Sequence, residues 1–208
     1  MSKPTILFVP GLATTGMFHA ASLRMKFFFW RRGYDFKVVT HGMGDTHEEV
    51  SREITNMKFK ATKPIHLVGH SQGGLACRYN AHIDRLTTQI QTLTTISCPH
   101  RGSPVADKYV DQSEPLPKDA SSWARSVRQL TSKSMTEFND NTPDNPNVRY
   151  YSIGFTGDSM VQVESAKWGT YLGTLKGSHL QQTSPFGNLW KQTFEVVAGN
   201  LKEALKDE

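Results

Sequence analysis

At 208 residues, with 37% hydrophobic and 21% charged side chains, the chain is long enough to bury a sizeable core and is too apolar to be disordered. No apolar run approaches the roughly 18 to 20 residues of a membrane span, and the aromatic run Phe27-Phe28-Phe29-Trp30 is closed at once by Arg31 and Arg32. The formal net charge of +5 favours an anionic partner, but Lys and Arg are spread along the chain without a recognition motif, which argues against nucleic acid.

The first strand-like run begins at Thr5, which leaves no room ahead of it for a signal sequence. The expectation is a soluble chain with no transmembrane segment, either made in the cytosol or already stripped of an export signal. Cys77 and Cys98 are too few for a disulfide framework in a chain of this size and read as buried free thiols.

Strand-length apolar runs alternate with helical stretches, and the whole length reads as a single domain. The strands predicted are 5–9 (TILFV), 36–41 (FKVVTH), 65–69 (IHLVG), 92–97 (TLTTIS), 148–155 (VRYYSIGF) and 170–175. Helices are predicted over 18–32, 47–59, 73–83, 120–139 and 187–206. Continuous rather than alternating hydrophobicity in the strands is what a sheet covered on both faces requires, so the class is α/β with a mostly parallel central sheet. At the end of 18–32, Gly33 follows Arg31 and Arg32 as a helix terminator should, and the Phe27 to Trp30 cluster reads as packing between the sheet and a neighbouring helix rather than as a lipid contact. The rhythm breaks at 107–122 (DKYVDQSEPLPKDASS), polar and proline-bearing, so a short lid-like insertion is expected at about 104–122. Beyond it, Trp123, Val127, Leu130 and Phe138 return at helical spacing and read as core rather than substrate contacts.

Between the third strand and its helix stands Gly69-His70-Ser71-Gln72-Gly73, the pattern of a nucleophile elbow. Small residues are needed two places either side of the serine, because strand and helix backbones pass too closely there for a side chain. Ser71 is therefore the candidate nucleophile. A serine hydroxyl attacks a carbonyl poorly without a base, and the oxyanion needs donors already aimed at it. The backbone N–H of Gln72, the residue after the nucleophile, is one candidate; the loop 10–16 (PGLATTG) supplies the other, with Leu12 first and Ala13 second. The glycines of this loop have P-loop spacing, but Met17 and Phe18 stand where Lys and Ser or Thr should follow, so it is not read as a phosphate cradle.

In this arrangement the acid and then the base follow the serine in the chain. Asp158 comes directly after the fifth strand, with Glu164 in reserve, and His179 is the one histidine beyond it. His41, Asp45 and His47 lack the helical spacing of a metal site.

These stretches resemble bacterial triacylglycerol lipases of the α/β-hydrolase fold, particularly the Pseudomonas and Proteus type. GHSQGGLACRY is similar to that family's elbow and following helix, SCPHRGSPVAD to its segment after the next strand, QLTSKSMTEFN and VRYYS to its later helix and strand, and GDSMV and GSHLQQ to the surroundings of its acid and base. The resemblance implies an α/β-hydrolase with Ser71, Asp158 and His179 as catalytic triad, acting on carboxylic esters of lipids. Gln181 stands where that family commonly has a calcium-binding aspartate, and the stretch ahead of Asp158 is much shortened, so no metal or cofactor is expected. The expected substrate is a small ester or lipid with short to medium acyl chains, with transient contact at a lipid interface. An acyltransferase using the same triad, and a noncatalytic binding protein on the same scaffold, are the alternatives.

Overall fold

The computed structural model describes residues 3–12, 18–61, 64–85, 89–110, 120–184 and 187–204. Six strands, β1 (Thr5–Val9), β2 (Asp35–Val38), β3 (Ile65–His70), β4 (Ile90–Ile96), β5 (Arg149–Thr156) and β6 (Thr170–Lys176), form one sheet in the order β2-β1-β3-β4-β5-β6. Every neighbouring pair is parallel. The helices are α1 (Phe18–Trp30), α2 (His47–Lys58), α3 (Gln72–Ile83), α4 (Pro104–Tyr109), α5 (Ser122–Arg128), α6 (Ser132–Asn141), α7 (Val163–Ala166) and α8 (Leu189–Ala204).

The pleat of β1 shows why its run is apolar throughout. Ile6 and Phe8 face a cluster with Phe29 of α1 and Phe194 of α8, whereas Leu7 and Val9 face one with Ile54 of α2 and Ala76 of α3. Successive side chains point to opposite faces, and both faces are covered. The aromatic run of α1 divides between the two environments: Phe28 and Phe29 pack inward, while Phe27 and Trp30 remain 58% and 56% exposed. Only half of that cluster is core.

Three predicted spans change. The second strand ends at Val38 rather than at residue 41, because the chain turns out of the sheet and the His41 ring nitrogens lie 3.0 Å from the carbonyl oxygens of Pro10 and Gly42. The single helix expected over 120–139 is two. At the break, Ser103 N donates to Leu130 O at 2.8 Å, Thr131 Oγ1 accepts from Ser134 N as the cap of α6, and Asp107 accepts from both N and Oγ of Ser132. These polar partners offer the backbone an alternative to a continued helix. The segment at 104–122 opens as α4, with proline in its first turn, and α5 begins at Ser122; residues 111–119 lie outside the described residues.

Candidate active site

Ser71 caps α3 from the end of β3 with φ of 53° and ψ of −128°, a sparsely populated conformation for a residue with a Cβ. The glycines around it explain how the chain fits. A Cβ built on Gly69 would lie 2.5 Å from the Gly74 Cα, and one on Gly73 would lie 2.3 Å from the Val9 carbonyl oxygen. The backbone therefore turns through a space that side chains would fill, which leaves the serine at the apex.

His179, distant in sequence, faces that hydroxyl. Its Nε2 lies 2.9 Å from Ser71 Oγ, and its Nδ1 lies 2.8 Å from Asp158 Oδ2. Asp158 follows β5 by way of Gly157, whose φ of +91° suits glycine, and its Oδ1 accepts the N–H groups of Met160 and Val161 at 2.9 and 3.0 Å. Burial pushes this carboxyl up, but the hydrogen bond and charge of His179, with the Val161 N–H and the Gln182 amide, outweigh it and hold Asp158 well below the usual carboxylate range. Asp158 stays charged beside His179. Glu164, the reserve acid, is instead paired with Lys167 on an exposed surface.

The loop after β1 passes hard against the elbow. A Cβ on Gly11 would lie 2.8 Å from Ser71 Cβ, so only glycine lets Leu12 approach the serine this closely. Leu12 is on the wall of the cavity above Ser71. Gln72 begins α3, where backbone N–H groups have no partner within the helix. Its side chain points elsewhere, with Nε2 donating to Asp45 O and Ser126 Oγ at 2.7 Å each. Ala13 lies outside the described residues.

The cavity over Ser71 and His179 has a volume of about 340 Å³ and walls from Leu12, Val105, Trp123, Val127, Met160 and Leu180. Trp123, Val127 and Leu130, read from sequence as core, line this space, although Val127 is buried and Leu130 also packs against the cluster of Leu75, Cys98 and Met135. At the rim Tyr109, Trp123, Met160 and Leu180 are between 40% and 70% exposed. Sequence reasoning missed Gln182, whose Nε2 donates to Asp158 Oδ2 at 2.8 Å, and His41, which holds the Pro10 carbonyl. Their spacing carried no signal, because neither lies in a motif.

Among the described residues, no group of three or more His, Cys, Asp or Glu side chains could hold a metal ion, and His41, Asp45 and His47 form no such group. Cys77 and Cys98 are buried and free, and burial pushes both thiols up, away from the reactive thiolate. No described helix is long and apolar enough to cross a membrane.

Solved structures share this architecture. A metagenomic carboxyl esterase superimposes with a TM-score of 0.79 at 17% identity, covering 100% of this chain and 77% of that one. A Bacillus licheniformis lipase in its mature form gives 0.72 at 19% identity, covering 95% and 92%. With its parallel sheet, helices on both faces and serine elbow, the molecule is an α/β-hydrolase. Within that class it belongs to the palmitoyl protein thioesterase family, whose model matches residues 37–152. Triacylglycerol lipase 2 of Saccharomyces cerevisiae is 34% identical over 159 residues, which are 62% of this chain and 48% of the yeast protein. A triacylglycerol lipase of Burkholderia plantarii is 45% identical over 62 residues, 30% of this chain and 16% of that protein. The chain thus spans about half the length of the yeast relative and less of the bacterial one. These likenesses support the wider lipase and esterase group and do not single out the Pseudomonas and Proteus type.

Proposed function

We propose that the protein is a serine hydrolase that cleaves carboxylic esters of lipids, with short to medium acyl chains favoured. The observation that carries this reading is the unbroken chain of contacts from Ser71 Oγ to His179 Nε2 and from His179 Nδ1 to Asp158 Oδ2, at 2.9 and 2.8 Å. Ser71 attacks the ester carbonyl while its proton passes to His179 Nε2, and the carbon–oxygen bond to the alcohol breaks as that proton is delivered to the leaving oxygen. Water, deprotonated by the same nitrogen, then releases the acyl group and restores the serine. Asp158 fixes the imidazole and offsets its positive charge. The N–H groups of Leu12 and Gln72 receive the oxyanion, and no metal or cofactor takes part. A cavity of about 340 Å³ is small among ligand sites, which run from about 300 to 1,000 Å³, and this supports the shorter acyl chains. The exposed apolar rim supplies the transient contact with a lipid interface.

The test is a chain-length series of nitrophenyl esters and triglycerides, repeated with a chelator and with Ser71→Ala. Turnover is expected to peak at short or medium chains, to survive the chelator and to fall by about a million-fold in Ser71→Ala. Ester hydrolysis retained by that variant, or no labelling of the protein by a fluorophosphonate, overturns the reading.

The family match favours a second reading, hydrolysis of S-acyl thioesters. A thiolate leaves with less help from a proton donor, so the same three side chains serve either bond. Matched oxygen and sulfur esters of one acyl chain decide between them: kcat/KM higher for the thioester by tenfold or more assigns the protein to thioesters.

A further inference from the structure

Asp158 Oδ2 has two donors. His179 Nδ1 and Gln182 Nε2 each lie 2.8 Å from it. A carboxylate can only accept, so the Gln182 group that faces it is the NH₂ and the amide carbonyl points away. That oxygen lies 3.2 Å from Nε2 of His70, which fixes the proton of His70 on Nε2. The two side chains are closed off from solvent, Gln182 at 0% and His70 at 1% exposure. The ring of His70 packs against that of His179 with centroids 4.8 Å apart and planes 38° from parallel. One amide therefore joins the acid to a second ring that rests on the base.

The chemistry of the pair suits this place. Burial, reinforced by the neighbouring His179, holds His70 down to about 3, so the ring remains neutral while His179 gains and loses a proton. An amide presents a donor to the carboxylate and an acceptor to the ring N–H at once without adding charge. A hydrocarbon of the same length would leave the Asp158 oxygen with one donor fewer and the His70 N–H with nothing to meet.

We propose that Gln182 is a positioning residue for this reaction: its amide pins the Asp158 carboxylate in line with His179 Nδ1 and seats His70 against the imidazole, keeping His179 Nε2 within reach of Ser71 Oγ. The proposal rests on the hydrolase reading given above. Gln182 does not contact the reacting atoms and acts through Asp158 and His70.

Gln182→Met keeps the length of the side chain and removes both polar groups. With a soluble short-chain nitrophenyl ester, kcat is expected to fall about tenfold or more while KM stays within about twofold, because the geometry of proton transfer is lost and substrate binding is not. In an Asp158→Ala background the same substitution should lower kcat by a clearly smaller factor, since one of the two groups through which it acts is gone and only the seating of His70 remains. A residue that only supports the fold would cost the same factor in both backgrounds. That additive result, an unchanged kcat, or a rise in KM alone overturns the proposal. Gln182→Glu is the second variant if Gln182→Met does not fold: it keeps an oxygen towards His70 and sets an oxygen against Asp158, and unimpaired kcat there is equally fatal. An active Ser71→Ala protein overturns the hydrolase reading itself, whereas an inactive Ser71→Ala beside an unimpaired Gln182→Met overturns the role of Gln182 alone.

Discussion

A serine at φ 53°, ψ −128° is in a region that glycine occupies at no steric cost and other residues reach only when their surroundings impose it. Such conformations cost about 1–3 kcal/mol each. At Ser71 the imposition comes from the close passage of β3 past α3, and the strain keeps the hydroxyl raised towards His179 Nε2 instead of folded against its own helix, where it makes no capping hydrogen bond. Ser71→Gly is therefore expected to abolish ester turnover while leaving the melting temperature at or above that of the unaltered protein, by up to about 1 kcal/mol of added stability. Thermal unfolding alongside an esterase assay checks both halves; a variant less stable by more than 1 kcal/mol would show that the serine is not strained. The convergence of Ser71, Asp158 and His179 was legible in the sequence because each follows a strand end in the order that the fold imposes. Gln182 and His41 were not, because their partners, the carboxylate of Asp158 and the carbonyl of Pro10, are brought to them only by tertiary packing.

At the scale of elements, the site depends on how two connections meet: the turn from β3 into α3 and the loop that leaves β1. Glycine at position 11, where a Cβ would lie 2.8 Å from Ser71 Cβ, lets the loop pass close to the serine, and the His41 ring, brought over by the shortened β2, sits against the carbonyl of Pro10 just ahead of it. Leu12 is thereby placed on the cavity wall beside the serine. Truncating the Leu12 side chain leaves its N–H in place, so Leu12→Pro is the informative change: it removes the donor and should lower kcat by about 10²- to 10³-fold, the usual cost of one oxyanion donor. Steady-state kinetics on a soluble ester check this, with an unchanged kcat assigning the donor elsewhere. The strands that bracket this site were readable as continuous apolar runs, since both faces of β1 and β3 are covered. The split between α5 and α6 was not. Trp123, Val127 and Leu130 keep helical spacing right up to the break, and the signals that stop the helix, Thr131 as a cap and Asp107 reaching across to Ser132, include one from a different part of the chain.

The whole molecule buries histidines that keep no charge. Burial lowers His47 and His66 to about 4 and His70 to about 3, against about 6.5 in an unfolded chain. Between those values the unfolded state binds more protons than the folded one, so stability rises with pH across this window. The contribution is full above about 6.5 and is lost as pH falls towards 4, by about 3 kcal/mol for each of His47 and His66. Asp158 has the same sign further down: its carboxyl is depressed in the fold, so its contribution is present above about 4 and lost as pH falls below that. The protein should therefore lose stability between pH 7 and pH 5, before its carboxylates begin to titrate. His47 offers the cleanest probe, since its buried ring packs edge-on against Phe138 at 5.4 Å, a contact that a phenyl ring can reproduce. Its backbone N–H, which donates to Gln129 Oε1, is untouched by a change of side chain. His47→Phe is expected to leave stability at pH 7 unchanged or raised, because replacing a buried polar ring by an apolar one of similar shape removes a desolvation cost. The same substitution should shrink the loss between pH 7 and pH 5 by about 2 kcal/mol, the share of a single histidine that protonates only when the chain unfolds. Urea unfolding at the two pH values measures both quantities, and an undiminished loss in His47→Phe would place the acid sensitivity in other groups.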